Sequence, residues 1–152
     1  MRILITGVHG FVGTNLVKDL KNEHQIYGLD ICSPNKEGVI STYTWDDLER
    51  REVPDVDAII HLAGKAHDTK NKSAAEIYFQ INTGLTQKIY DYFLMSNAGK
   101  FIYFSTAKAV ADKVDGILTE DVLPMPVGPY GESKIKAEEY ILSKTTQQNK
   151  LV

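Results

Sequence analysis

One cysteine, five prolines and no apolar run long enough for a bilayer set the first limits on this 152-residue chain. A lone thiol, Cys32, closes no internal disulfide, so the chain is not a disulfide-stapled scaffold. Its apolar stretches fall well short of the ~18 residues that a membrane helix requires. Positive charge is also scarce. Lys and Arg number 17 against 20 Asp and Glu, a net charge of −3, without the clustered basic excess that nucleic acid demands. The start, Met1-Arg2-Ile3-Leu4-Ile5-Thr6, reaches its first glycine too soon for a signal peptide. These absences point to a soluble protein of the reducing cytoplasm, with neither a membrane nor a nucleic acid as partner and with no resident metal.

What is present is a core. Hydrophobic residues make up 43%, enough for one ordinary domain, expected to span 1–152. Ile3 to Thr6 is a short apolar run stopped by Gly7 and reads as a buried strand. Phe11 to Leu20 turns helical, with Phe11, Leu16, Val17 and Leu20 near helical spacing. Gln25 to Asp30 reads as a second strand, and Val39 to Tyr43 as a possible short one. Asp46 or Asp47 is expected to cap a short helix that ends before Pro54. Val56 to Leu62 is a third strong strand. Ala74 to Met95 reads as a long helix with Ile77, Ile81, Leu85, Ile89 and Phe93 on one stripe facing the sheet. Lys100 to Ser105 is another strand, followed by a Pro/Gly-rich loop, a helix over 130–145, and the onset of a strand at Leu151-Val152. Alternating strands and helices imply parallel pairing with right-handed crossovers. The expected fold is therefore α/β, a Rossmann-type doubly wound parallel sheet with helices on both faces.

Chemistry enters where the first strand meets Gly7-Val8-His9-Gly10-Phe11-Val12-Gly13. Gly7 permits a tight turn, Gly10 lets a pyrophosphate approach the backbone, and Gly13 lets the helix pack on the strand. The anion is then held by free amides at a helix N-terminus. Asp30, ending the second strand, can accept both hydroxyls of an adenosine ribose and would repel a 2′-phosphate. No Arg or Lys lies nearer downstream than Lys36, so NAD is expected over NADP.

A second constellation is Tyr130-Gly131-Glu132-Ser133-Lys134. Its Tyr and Lys return to nearly the same helix face, about 6 Å apart along the axis. A phenol working as a base at neutral pH must be held about 3 units below its value in water, or ~4 kcal/mol. An ammonium ~4 Å away, at an effective dielectric near 20, supplies about that much. The pair suits removal of a proton from a hydroxyl during hydride transfer. Between the two constellations stand His61-Leu62-Ala63-Gly64 at a strand end, Asn82-Thr83 with Leu85 in the long helix, and Phe104-Ser105-Thr106 at the next strand end.

The G-x-x-G-x-x-G spacing and the order of these segments resemble extended short-chain dehydrogenases/reductases. In particular they resemble the NAD-dependent epimerase/dehydratase family, of nucleotide-sugar 4-epimerase type and over its N-terminal part only. The resemblance implies that Gly7, Gly10, Gly13 and Asp30 bind NAD, with Phe11 and Val12 offering amides. Leu62, Ala63 and Gly64 would pass beside the cofactor. Thr106, rather than Ser105, would supply a hydroxyl, Tyr130 the base, and Lys134 both a cation for Tyr130 and a bond to the nicotinamide ribose. Asn82 would contact substrate or else fix the helix. Lys65 and His67 would border the sugar site or else lie in a solvated loop. Ala107 and Lys108 stand where 4,6-dehydratases of the family carry Asp-Glu, which argues against dehydration. The implied function is NAD-dependent chemistry on a nucleotide sugar, first a 4-epimerase through a 4-keto intermediate. The alternatives are a 4-keto reductase or dehydrogenase, an enzyme of small carbonyl compounds, and a catalytically silent dinucleotide sensor. The Pro124, Pro126 and Pro129 stretch looks most like enzymes of N-acetylated UDP-sugars. Family members are longer, with a C-terminal half that grips the nucleotide sugar. The chain is therefore expected to be a truncated piece, inactive alone, and to form a homodimer through helices 74–96 and 130–145.

Overall fold

The computed structural model of the chain describes residues 1–66, 74–114 and 116–145. His67 and the Leu151-Val152 strand onset lie outside the described residues. The rest forms two compact units. One comprises Met1–Ala63 with Ile89–Phe104 and holds the whole sheet. The other comprises Gly64–Lys88 and the described chain from Ser105.

In the first unit, β1 (Arg2–Thr6), β2 (Gln25–Asp30), β3 (Ser41–Thr44), β4 (Ala58–His61) and β5 (Lys100–Tyr103) form a five-stranded sheet. Its order is β3-β2-β1-β4-β5 and every pairing is parallel. Successive side chains on a strand point to opposite faces, which sorts the core into two layers. Ile3, Ile5, Ile26 and Ile60 pack with Val8 and Val17, together with Leu16 and Leu20 of helix α1 (Phe11–Leu20). Leu4, Ile59 and Phe101 lie in register on the other face. There Phe101 meets Tyr90 edge-on at 5.0 Å and Phe93 at 5.2 Å. The sheet is thus covered on both sides, as a parallel sheet must be, and the expected Rossmann-type architecture is observed. Among the described residues β5 has no second neighbour.

The short helix α2 (Trp45–Glu49) is capped by Thr44, not by Asp46 or Asp47. Thr44 Oγ1 accepts the Asp47 amide at 3.3 Å while Asp47 reaches back to the Thr44 amide at 2.6 Å. The helix starts directly at the end of β3, two residues earlier than a cap at Asp46 would place it. Asp47 therefore sits at the third position of a capping box.

The long helix also departs from expectation. It runs as α3 (Ala75–Tyr78), a π-helical turn (Phe79–Gly84) and α4 (Leu85–Met95). The buried positions are Tyr78, Asn82, Thr86, Ile89, Tyr90 and Phe93, while Ile77 is exposed and Ile81 and Leu85 are only half-buried. A hydrophobic pattern misplaces this face because its middle is polar. Asn82 and Thr86 are buried for their hydrogen bonds, and the wide turn with i→i+5 bonding rotates the residues after it to a different face.

In the second unit, the π turn and α3 pack against α5 (Pro129–Thr145). A 3₁₀ turn, Ala107–Ala109, packs on the start of α5.

Candidate functional site

The glycine turn of the first unit fits a pyrophosphate. Gly7 has φ of 68° and sits so close to the end of β4 that a Cβ there would stand 2.9 Å from the Ala63 amide nitrogen. At Gly13 a Cβ would lie 2.5 Å from the Gly7 carbonyl oxygen and 2.8 Å from Val8. Glycine at these two places is what lets strand, turn and helix close on one another. Helix α1 has no side-chain cap. The amides of Phe11, Val12 and Gly13 find no acceptor among the described residues, and the Phe11 side chain is 85% exposed. Uncapped first-turn amides at the positive end of a helix form an anion cradle.

Asp30 is already organised. Its Oδ2 accepts the His9 amide at 3.0 Å and its Oδ1 the Ile31 amide at 2.8 Å. Each oxygen keeps a lone pair for a ribose hydroxyl. Lys36, the nearest downstream cation, donates to Thr14 Oγ1 at 2.9 Å.

Thr6 escaped the sequence reading. Its hydroxyl accepts the amides of Leu62 (3.1 Å) and Ala63 (2.9 Å), fixing the chain where it leaves β4. Both lone pairs are then used, so its proton goes to Nδ1 of the fully buried His61 at 2.6 Å. That makes His61 the Nε2–H tautomer.

The second unit holds the Tyr/Lys pair. Tyr130 is half-buried in the first turn of α5, and Lys134, one turn on, is only 7% exposed. Burial lowers the Lys134 ammonium from its ordinary 10.5 to about 8, while the Glu138 carboxylate opposes the shift. Ser105 Oγ donates to that same Glu138, so the first hydroxyl of the Ser-Thr pair is committed. Thr106 instead caps the 3₁₀ turn. Its Oγ1 accepts the Lys108 amide at 3.3 Å and keeps its proton to give. Lys108 Nζ bonds Asp112 at 2.6 Å.

Asn82, 1% exposed, resolves into a bracket. Its Oδ1 accepts the Lys65 amide at 2.7 Å, and its Nδ2 donates to the Lys65 carbonyl at 3.2 Å and to Ser133 Oγ at 3.0 Å. Ser133 Oγ in turn donates to the Tyr130 carbonyl at 2.8 Å. Every polar atom of the Asn82 side chain thus serves the protein's own backbone and helix. Gly131 was also overlooked, although a glycine inside a helix start is itself a signal of close approach. A Cβ there would run into the Lys108 carbonyl and stand 3.1 Å from Pro126 Cβ. Among the described residues, no group of three or more His, Cys, Asp or Glu could hold a metal.

A family model described as the NAD dependent epimerase/dehydratase family matches residues 3–151. The UDP-glucose 4-epimerase of Streptococcus mutans serotype c is 31% identical over 153 residues, which cover 91% of this chain and 45% of that protein. MoeE5, solved in complex with UDP-glucose and NAD, superposes with a TM-score of 0.86 at 24% identity, covering 99% of this chain and 52% of its own. A UDP-Glc/GlcNAc 4-epimerase from Campylobacter jejuni gives 0.81 at 25% identity, covering 97% and 50%. The chain thus spans about half the length of the relatives it matches.

Proposed function

This chain belongs to the NAD-dependent epimerase/dehydratase family, and we propose that it is the dinucleotide-binding and proton-handling part of a nucleotide-sugar 4-epimerase. The observation that carries the reading is the buried Lys134 ammonium one helical turn from Tyr130. A silent dinucleotide sensor has no need of a desolvated lysine there. Tyr130, as phenolate, takes the proton of the sugar's 4-hydroxyl and returns it when the carbonyl is reduced. Lys134 stabilises that phenolate and bonds a ribose hydroxyl. Thr106 Oγ1 donates to the substrate oxygen. Phe11 and Val12 amides hold the pyrophosphate, Gly7, Gly10 and Gly13 make room for it, Asp30 takes the adenosine ribose, and Leu62, Ala63 and Gly64 flank the dinucleotide. When bound, NAD supplies the hydride acceptor and donor for the sugar carbon. Ala107 and Lys108 provide no carboxylic acid beyond Tyr130, which supports epimerisation over dehydration. Incubation of the full-length protein that carries this chain with NAD and UDP-galactose or UDP-N-acetylgalactosamine, followed by NMR, tests the reading. Interconversion of the 4-epimers supports it; oxidation to a 4-keto sugar with NADH accumulating and no interconversion replaces it with a dehydrogenase.

Asp30 underlies an expected preference for NAD. Calorimetric titration should give tighter binding of NAD than of NADP, and Asp30→Ala should narrow the gap. Tighter NADP binding by the unmodified chain would overturn the assignment. Asp30→Ala should also weaken NAD itself, because the carboxylate that takes the ribose holds the His9 amide of the glycine turn.

A cytoplasmic homodimer built on the two long helices remains part of the proposal. No described helix is long and apolar enough to cross a membrane. Tyr92 is no clean probe of the dimer, since it lines a cavity of about 170 Å³ with Arg51, Val53, Asp55, Met95 and Ser96. Leu142 on α5, 64% exposed, and the exposed Ile77 on α3 are better ones. Light scattering should report a dimer that Leu142→Glu or Ile77→Glu converts to monomer. A monomeric unmodified chain at high concentration would refute it.

A further inference from the structure

Tyr78 has no role in the mechanism above, yet it is 3% exposed and its ring stands edge-on to Tyr130, with centroids 6.2 Å apart and planes at 62°. The Lys65 ammonium sits 5.5 Å from the Tyr78 ring centroid, within cation–π range. We propose that Tyr78 is a positioning residue for Tyr130 and that Lys65 holds Tyr78 in that role, an inference that rests on reading Tyr130 as the base.

The need for such a residue comes from helix geometry. Helical side chains lean toward the N-terminus and rest on the preceding turn. Tyr130 is the second residue of α5, so no earlier turn of its own helix supports its ring. A phenol that must give and take a proton at one fixed carbon needs a wall from elsewhere, because misplacement of about 1 Å can cost 10²-fold in rate. Tyr78 supplies that wall through an edge-to-face contact, a favoured arrangement of aromatic pairs.

The contact is referenced to the backbone that carries Tyr130. Asn82 lies in the π turn that begins right after Tyr78, so the two project from one face of the helix, where both are buried. Asn82 clamps the Lys65 backbone on both its amide and its carbonyl and bonds Ser133, which bonds the Tyr130 carbonyl. A closed circuit results: Lys65, Asn82, Ser133, Tyr130, Tyr78 and back to the Lys65 ammonium. The positions of the ring and of its support are set by the same side chain. Insertion of a π turn at this point of the helix has a concrete use here, since such turns recur at functional sites.

Tyr78→Phe, Tyr78→Leu and Lys65→Met in the full-length protein test the proposal. With 13C-labelled tyrosine, the Tyr130 ring signal is assigned by its loss in Tyr130→Phe. Tyr78→Phe should keep that signal sharp and single. Tyr78→Leu should broaden it and move it toward the free-tyrosine value, and Lys65→Met should do so in part. With UDP-galactose as probe, kcat should fall about 10–100-fold in Tyr78→Leu while NAD affinity stays within about twofold, and Tyr78→Phe should restore kcat. Should Tyr78→Leu fail to fold, Lys65→Met decides, as its side chain is only half-buried. An undisturbed Tyr130 signal in Lys65→Met and Tyr78→Leu would overturn the proposal. So would a Tyr78→Phe variant as damaged as Tyr78→Leu. Absence of UDP-galactose turnover in the unmodified full-length protein would sink the epimerase reading, and the NMR comparison would still decide the role of Tyr78.

Discussion

Replacing Lys134 by Met should raise the melting temperature at pH 7 and at the same time remove turnover. The two effects share one cause. Folding takes this ammonium out of water and lowers it from 10.5 to about 8. The sign comes from proton counts. Between about 8 and 10.5 the unfolded chain binds more protons at this residue than the folded chain does, so stability rises with pH across that window. Below about 8 both states are charged and the full cost applies, roughly 3 kcal/mol from the width of the shift. Methionine fills similar volume without charge. For a chain of this size, each kcal/mol moves Tm by about 2–4 °C, so a rise of roughly 5 °C or more is expected. Above about pH 10.5 the advantage should vanish. Tyr130→Phe is the complementary variant. It should lower turnover by about 10²–10⁴-fold, the ordinary worth of a proton-transfer group. Differential scanning calorimetry from pH 6 to 11, and turnover assays of the two variants in the full-length protein, check this. A Lys134→Met protein less stable than its parent at pH 7 would show that the ammonium contributes more bonding than it costs in desolvation.

That coupling of stability and function bears on what sequence could and could not tell. The glycine turn and the Tyr/Lys pair are legible because their chemistry is written in local spacing: a strand end and glycine triplet, or two residues one helical turn apart. The parallel sheet is legible because Ile3, Ile5, Ile26, Ile59 and Ile60 fall in short apolar runs. What stays hidden depends on partners distant in sequence. Asn82 reads as a substrate contact or a helix fixture with equal force until Lys65 and Ser133 are brought to it. The stripe Ile77, Ile81, Leu85 outranks Tyr78, Asn82, Thr86 on apolarity alone, yet hydrogen bonds to buried polar atoms choose the second face. Thr44 is a better N-cap than Asp46 or Asp47 only once β3 is known to end there. Thr106 is preferred to Ser105 in the sequence only by the resemblance; the physical reason appears once Glu138, a full turn beyond Lys134, engages Ser105. Gly131 looks like a helix-weakening residue until Lys108 is placed against it.

Gly131 therefore supports the second large effect: Gly131→Ala should cripple the protein although alanine is the better helix former. The added Cβ runs into the Lys108 carbonyl oxygen, backbone that cannot swing aside as a flexible side chain would, and stands 3.1 Å from Pro126 Cβ. Retreat of Lys108 is restricted. Its turn is capped by Thr106, and the segment beyond is tied down where the Met125 amide donates to the Val110 carbonyl at 2.7 Å. Overpacking at a well-filled place costs about 1–3 kcal/mol and occasionally more, and here the upper end is expected because the clash is with main chain. The gain in helix propensity, about 1 kcal/mol, does not offset it. Whichever element yields, Thr106 and Tyr130 separate from their present arrangement, since one caps the turn that meets Gly131 and the other precedes Gly131 in the helix. A displacement of about 1 Å between two groups proposed to act on one substrate oxygen should carry a loss near 10²-fold. Gly99→Ala is the control. A Cβ at Gly99 meets nothing within 4 Å, so the substitution should leave Tm and turnover unchanged. Urea unfolding of the two alanine variants, with turnover measured in the full-length protein, separates the cases. A Gly131→Ala protein as stable and active as the Gly99→Ala control would mean that α5 and the 3₁₀ turn do not meet as closely as their backbones indicate.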